Sequence, residues 1–94
     1  MSGNIYPVPK HHILRSKKYL NFIRSKPCFL CNKPAEPHHE RRYADGGTAL
    51  TPSDIYAVPA CRECHGKLQR YEIDALTVYI RIMKLLTEFL YGKI

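Results

Sequence analysis

The chain has 94 residues, of which 45% are hydrophobic and 24% charged, and its 15 basic and 8 acidic residues give a net charge of +7. This length predicts one domain near the small end of what a single core supports, so a structural metal would be a useful supplement to burial. The first residues form no apolar signal region, and no apolar run approaches the roughly 18 residues of a membrane span. We therefore expect a cytoplasmic protein with no membrane partner.

The net charge lies in the N-terminal third. Residues 1–35 hold seven basic and no acidic residues, whereas residues 36–94 hold eight of each. A block of one sign indicates a polyanionic partner, most commonly nucleic acid. A solvated basic face that only aids solubility is the alternative.

The N-terminal third divides into a tail and a helix. Two prolines predict an extended tail over residues 1–12 that ends in a solvated histidine pair. A basic helix is predicted over residues 13–26 because its apolar residues recur on one side. Lys17 and Lys18 lie on the other side and are candidates for DNA phosphate contacts, and Pro27 ends the helix.

The core segment, residues 27–71, holds too many prolines and glycines for a long helix. Strand-like stretches cover His38–Arg42 and Ile55–Val58, and the loop between them contains a turn at Gly46-Gly47. A short helix is predicted from near Arg62 to Leu68. The chain is therefore predicted to be a small α+β domain.

A long helix is predicted over residues 72–94, with its clearest pattern from Ile73 to Tyr91. It is either continuous with the preceding helix or kinked near Glu72. Because its apolar residues form two stripes, most of its circumference must be buried. One stripe can pack within the domain, and the other indicates a partner such as a second copy of the chain, with burial inside the domain as an equal alternative. The stripes are Ile73, Leu76, Ile80, Met83 and Leu90, and Ala75, Val78, Tyr79, Ile82, Leu86 and Phe89.

Four cysteines form two Cys-x-x-Cys pairs, Cys28 with Cys31 and Cys61 with Cys64. Two such pairs can close a tetrahedral site around one structural Zn²⁺. Without an export signal, zinc is favoured over disulfides. Cys61, Cys64 and His65 together match the c-type haem attachment motif. The first Cys-x-x-Cys pair competes with haem for these cysteines, however, and its presence favours zinc.

Three histidines sit at fixed offsets from those thiols. His38 and His39 lie between the two pairs, and His65 follows the last cysteine. Closing a zinc site would bring the three together. Since neighbouring residues of a strand point to opposite faces, the two adjacent imidazoles are expected to have different roles. A structural role beside the zinc is the alternative.

Residues 27–69 resemble an HNH endonuclease and are most similar to the phage-borne group that includes the recombination-enhancement nucleases. The motifs that carry this resemblance are Pro27-Cys28-Phe29-Leu30-Cys31, Pro37-His38-His39, Gly46-Gly47, Asp54-Ile55 and Val58-Pro59-Ala60-Cys61-Arg62-Glu63-Cys64-His65. The resemblance implies a zinc-bound ββα-metal domain. It also implies a DNA endonuclease that depends on a divalent metal and acts in a bacterial or phage-infected cell.

The resemblance also implies roles for the histidines. His38 and His65 would bind the catalytic ion, and His39 would be the general base. An imidazole suits that role because its unperturbed pKa of about 6.5 lies close to working pH.

Two positions depart from the family pattern. Gln69 stands where another metal ligand is common, and an amide oxygen suits Mg²⁺ or Mn²⁺ better than softer ions. Asp54 is the nearest replacement for the central asparagine and would tether the loop that orients His39, with Tyr56 as the other candidate.

Further candidates for DNA contacts are Arg41, Arg42 and Lys67. Two interpretations without catalysis stand beside the nuclease. One is a zinc-bound nucleic-acid-binding module, which Gln69 and the missing asparagine favour. The other is a zinc-stapled adaptor that binds proteins through its C-terminal helix.

Overall fold

The computed structural model describes residues 13–46 and 50–92. The predicted tail over residues 1–12, the second glycine of the predicted turn and the last two residues of the predicted C-terminal helix lie outside the described residues. The elements in chain order are α1 (Lys17–Arg24), β1 (Glu36–His39), a 3₁₀ turn (Asp54–Tyr56), β2 (Ala57–Ala60), α2 (Arg62–Gln69) and α3 (Ala75–Tyr91). The predicted α+β class is confirmed.

The two strands form an antiparallel sheet in which His38 pairs with Val58 and His39 with Ala57. The first strand ends earlier than predicted because the Glu40 side chain turns back to accept the backbone N–H of Arg42 at 2.9 Å. The second strand begins later than predicted because its expected first residues form the 3₁₀ turn.

Helix α1 begins about one turn later than predicted because the preceding residues are tied elsewhere. The Leu14 N–H donates to Ser53 Oγ at 2.8 Å, and the Asp54 N–H donates to the Leu14 carbonyl at 2.9 Å. Ser16 then caps the helix, its hydroxyl oxygen accepting the Tyr19 N–H at 3.0 Å. The start of α1 is therefore fastened to the loop that precedes β2.

Helices α2 and α3 are separate, so the continuous helix considered above is wrong. The Tyr71 N–H donates to the Leu68 carbonyl at 3.1 Å, and the Glu72 N–H donates to the Lys67 carbonyl at 2.9 Å. This pair of bonds is a Schellman motif, which ends a helix by placing one residue in the left-handed region. Here that residue is Tyr71, with φ of 58°.

The loop between the strands closes tightly on Gly46. A Cβ at this position would lie 2.4 Å from the Leu50 carbonyl oxygen and 2.6 Å from the Pro52 nitrogen. Only glycine allows the chain to return this closely, which brings the end of the loop back toward the end of β1.

The core lies between the sheet and the three helices. Helix α3 buries the stripe that contains Val78 and Ile82 and leaves the other stripe exposed, with Leu76 67% and Met83 66% exposed. One stripe is thus packed within the domain, as predicted. No helix within the described part of the chain is long and apolar enough to span a membrane. The buried core consists of Tyr19, Ile23, Cys28, Ala57, Val58, Ala60, Cys61, Cys64, Leu68, Val78, Ile82 and Leu85.

Candidate metal centre and histidine cleft

The ligand atoms of the four cysteines converge at one point and lie within 4.8 Å of one another. Cys31 Sγ is 3.4 Å from Cys61 Sγ and 3.9 Å from Cys64 Sγ. Four sulfurs placed about 2.3 Å from a tetrahedral Zn²⁺ would be about 3.8 Å apart, so the spacing fits zinc. The cysteines are not joined by disulfides. The prediction that all four thiols can share one metal ion is confirmed.

Local backbone geometry presents each pair of sulfurs. In the first pair, the Cys28 N–H donates to the Lys33 carbonyl at 2.8 Å, and Asn32, with φ of 69°, donates back to the Cys28 carbonyl at 2.9 Å. In the second pair, Cys61 is the N-cap of α2, and its sulfur accepts the Cys64 N–H at 3.4 Å. Both pairs are therefore shaped by turns within a few residues.

The thiols influence one another strongly. Burial raises the pKa of Cys28, but hydrogen bonds to its sulfur from backbone groups of Cys61 and its own neighbours outweigh burial and lower the pKa to about 6. Burial and the adjacent sulfurs raise the pKa of Cys64 to about 12. Four thiolates this close repel one another, so a divalent cation is what would allow all four to lose their protons. The cluster fits a cation on chemical grounds as well as on spacing.

His39 lies beside Asp54 at the end of the sheet. His39 Nε2 is 2.9 Å from Asp54 Oδ1, and the other carboxylate oxygen accepts the Ser16 N–H at 2.7 Å. Because an ionised carboxylate can only accept, we assign the proton to Nε2, which leaves the Nδ1 lone pair available. The alternative candidate, Tyr56, instead packs its ring on Tyr79 with centroids 6.0 Å apart.

His38 faces His65 across the gap between β1 and α2. Their ring centroids are 4.5 Å apart, with planes at 84°. Two imidazoles bound at about 2.1 Å to one cation would have centres roughly 4.5–5.3 Å apart, so this spacing suits two ligands of one ion. Burial, followed by the nearby His65, lowers the pKa of His38 to about 4. His38 is therefore neutral at pH 7, which is the form that binds metals.

The three histidines and Gln69 line one cleft of about 400 Å³. The structure thus brings together His38, His39, His65 and Gln69, although the two adjacent histidines have different neighbours, as strand geometry predicts. Among residues 13–46 and 50–92, the four cysteines are the only group of three or more His, Cys, Asp or Glu side chains that converges on one point. A cation on His38 and His65 would therefore need Gln69, water or substrate oxygens to complete its shell.

An ion pair at the end of β1 was not predicted from the sequence. Glu40 is 1% exposed, and its carboxylate accepts Arg42 Nε at 2.9 Å and a second guanidinium nitrogen at 3.0 Å. Arg42 also donates to the Ile73 carbonyl at 2.8 Å. The guanidinium of Arg42, which is one of the predicted phosphate contacts, therefore already binds Glu40 and Ile73. The signal in the sequence was a lone acidic residue between a histidine doublet and two arginines.

The other candidate DNA contacts lie on the surface. Lys17, Lys18 and Lys67 are exposed, and exposed Arg41 donates to the Leu50 carbonyl at 3.1 Å. Lys17 directly follows Ser16, whose backbone N–H is bonded to the carboxylate that holds His39. The basic start of α1 therefore lies beside Asp54, the residue that holds His39 in the cleft.

Several other basic residues of the N-terminal third are engaged in hydrogen bonds or ion pairs within the domain. Arg15 donates to two carbonyls of the loop that precedes β2, both at 2.6 Å. Lys26 pairs with Glu88, and Lys33 lies 3.7 Å from Glu63. Acidic residues from the second half of the chain thus meet part of the N-terminal charge.

Comparison with known proteins gives a family for the chain. It is 32% identical over 62 residues to Uncharacterized protein YdfU of Escherichia coli (strain K12), a match that covers 65% of this chain and 18% of that protein. No solved structure matches. Residues 4–90 match the family described as Protein of unknown function (DUF968), and the chain therefore belongs to that family.

Proposed function

We propose that the chain is an HNH-type DNA endonuclease that depends on a divalent metal and hydrolyses phosphodiester bonds. The observation that supports this best is the 2.9 Å contact between His39 and Asp54, in a cleft that His39 shares with His38 and His65. This contact leaves one imidazole nitrogen able to accept a proton, directly beside two imidazoles spaced for a cation.

In this proposal His39 Nδ1 takes a proton from water, and the resulting hydroxide attacks the phosphorus in line with the leaving 3′ oxygen. His38 and His65, with Gln69, would hold Mg²⁺ or Mn²⁺. The chemistry that such an ion supplies is stabilisation of negative charge on the phosphoryl and leaving oxygens. The products carry 5′-phosphate and 3′-hydroxyl ends, because the bond to the 3′ oxygen is the one that breaks and this oxygen then takes a proton from a solvent water.

Zinc has a separate, structural part in the proposal. Zn²⁺ on Cys28, Cys31, Cys61 and Cys64 would clamp the first cysteine turn to the start of α2. His65 follows the last of these ligands, so the same clamp would fix the direction from which it enters the cleft.

The test is a nicking assay on supercoiled plasmid with added Mg²⁺ or Mn²⁺. His39→Ala should lose about 10²–10⁴-fold in rate while still binding zinc and DNA, because the imidazole acts only on the attacking water. His65→Ala should fail differently, with partial rescue at higher metal concentration. Thr77→Ala, an exposed position on α3, is the control and should keep full activity.

Two results would contradict the proposal at different levels. If no cleavage of supercoiled, linear, single-stranded or branched DNA occurs with Mg²⁺, Mn²⁺, Ni²⁺ or Zn²⁺, the proposal that the chain is an enzyme is wrong. The second candidate, a zinc-bound nucleic-acid-binding module without catalysis, then replaces it, as the neutral Gln69 in the cleft would favour. If cleavage occurs and His39→Ala retains it in full, the nuclease stands and the role of His39 is wrong.

We also propose that α3 pairs with a second copy of the chain. The exposed apolar residues Leu76, Ile80, Met83 and Leu90 recur with the four-and-three spacing of a coiled-coil seam, Thr87 filling the remaining position. An open groove beside Ile80 and Met83 runs along this face, away from the histidine cleft. Light scattering should report a dimer at micromolar concentration and a folded monomer for Ile80→Asp combined with Met83→Lys. A monomeric unmodified protein would contradict the pairing.

A further inference from the structure

Tyr71 occupies a backbone position that does not favour tyrosine. It is the residue that ends α2 in the left-handed region, with φ of 58°. Side chains with a Cβ are disfavoured there, and glycine usually takes the position after a helix of this kind. Local folding therefore gives no reason for an aromatic residue at Tyr71.

Burial gives no reason for it either. Tyr71 is 59% exposed, so its ring adds little to the core. The Arg42 guanidinium lies over the ring, 4.8 Å from the centroid. A cation on an exposed ring of this kind contributes modestly to stability.

The ring is nevertheless held at a particular place. Arg42 is fixed by the buried carboxylate of Glu40 and by the Ile73 carbonyl, so the guanidinium forms a rigid backing for Tyr71. Tyr71 also lines the cleft that contains the three histidines. An exposed aromatic ring with a rigid backing therefore stands at the edge of the proposed catalytic site.

We propose that Tyr71 is a stacking platform for one unpaired nucleobase, next to the phosphate that enters the histidine cleft. Aromatic rings bind single-stranded nucleic acid in this way because every base has a π face, whereas bases within a duplex are stacked on one another and would have to be flipped out. The inference rests on the proposed function and names its substrate class. That class is DNA with at least one unpaired nucleotide beside the scissile bond, as in single strands, flaps or branches.

The first experiment measures binding without added catalytic metal, by fluorescence anisotropy on the full chain. The probes are a labelled single-stranded oligonucleotide of mixed sequence and a blunt duplex of the same length. Tyr71→Ala should weaken binding to the single strand by about 5- to 100-fold, with little change for the duplex. Tyr71→Phe should stay within about twofold. Tyr91→Ala, an equally exposed tyrosine on α3, is the matched control and should bind normally.

The second experiment separates stacking from a structural role. Tyr71→Gly suits the left-handed backbone better than tyrosine does, so its melting temperature should equal or exceed that of the unmodified protein. The same variant should lose single-strand affinity as Tyr71→Ala does. A ring that only supports the fold would instead lower stability and both affinities together.

The stacking platform is wrong if the unmodified protein does not bind the single strand, or if Tyr71→Ala binds it normally. It is also wrong if Tyr71→Ala weakens binding to the single strand and to the duplex equally. These outcomes do not depend on cleavage, so they are distinct from a failure of the nuclease. If the protein cuts DNA but Tyr71→Ala does not change single-strand binding, only the stacking platform is wrong. If Tyr71→Ala weakens single-strand binding but the unmodified protein does not cut DNA, only the catalytic proposal is wrong.

Discussion

The cysteine cluster and the histidine cleft share helix α2 but are built differently. Each cysteine pair is shaped by turns a few residues long, and the two pairs meet at one point. The cleft depends on distant support, since His39 is held by Asp54, which in turn binds the start of α1 at Ser16. We infer that damage to the cluster should affect the whole fold, whereas damage to the cleft should affect mainly its chemistry.

The largest expected effect comes from the cluster. Cys61→Ser should remove the bound metal and unfold or broadly destabilise the chain, because structural zinc binding contributes on the order of 10 kcal/mol in small domains. Metal analysis of the unmodified protein should find about one zinc per chain, and circular dichroism should follow the loss of structure in the variant. Arg62→Ala, an exposed neighbour, should change neither. Absence of zinc, with thiols that react only after reduction, would instead establish disulfides.

The matching change in the cleft is Asp54→Asn. An amide can still accept the Ser16 N–H, but it no longer offers a negative charge to the proton on His39 Nε2. We expect nicking to slow by about 10- to 1,000-fold, while the zinc content stays the same. The rate should also shift in its pH dependence, which a purely structural role would not cause. Full activity and an unaltered pH profile would show that the contact does not orient the base.

The buried pair at the end of β1 gives a third, pH-dependent test. Burial raises the pKa of Glu40, but hydrogen bonds from Arg42 outweigh it and hold the pKa below its ordinary value. The pair therefore stabilises the fold above the ordinary pKa of a glutamate, about 4.3, and this stability is lost as pH falls through the lowered pKa.

Glu40→Gln should accordingly cost about 2–4 kcal/mol of unfolding free energy at pH 7, because it leaves the Arg42 guanidinium without its carboxylate. The difference from the unmodified protein should shrink as the pH falls from about 4.3 through the lowered pKa of Glu40, because glutamate and glutamine are both neutral only below that lowered pKa. Denaturant unfolding at several pH values measures this. Glu63→Gln, an exposed acid on α2, is the control, and a difference that is independent of pH would show that charge is not the cause.

The smallest expected effect concerns the surface that approaches DNA. Replacing Lys17 and Lys18 together by alanine should weaken binding for all sequences alike. The slope of the logarithm of the binding constant against the logarithm of the salt concentration should become shallower by up to about 0.9 for each duplex phosphate that the variant no longer neutralises. Lys84→Ala on α3 should leave the slope unchanged. If the double variant also leaves the slope unchanged, the DNA path lies elsewhere, with Arg41, Arg42 and Lys67 as the next candidates.

The element boundaries show where local patterns stop being sufficient. Helix α2 agrees with its prediction to within one residue, because its start is set by Cys61 and its end by a local hydrogen-bond motif. Helix α1 was predicted to begin at residue 13, but its true start depends on Ser53 and Asp54, which are about forty positions away in the chain. Apolar periodicity cannot report a contact of that kind.

The sequence by itself determined the α+β class, the cysteine spacing that allows one metal ion and the presence of two apolar stripes on the last helix. Each of these follows from patterns a few residues long, which are governed by turn geometry and helical periodicity. Only the tertiary structure decided that Asp54 binds His39, that Glu40 engages Arg42, and that Tyr71 stands exposed at the edge of the cleft. The contact of Asp54 with His39 and the position of Tyr71 depend on how distant segments pack. The same is true of the burial of Glu40, although its partner Arg42 is only two positions away. Packing energy is distributed over the whole core and cannot be read from any one segment.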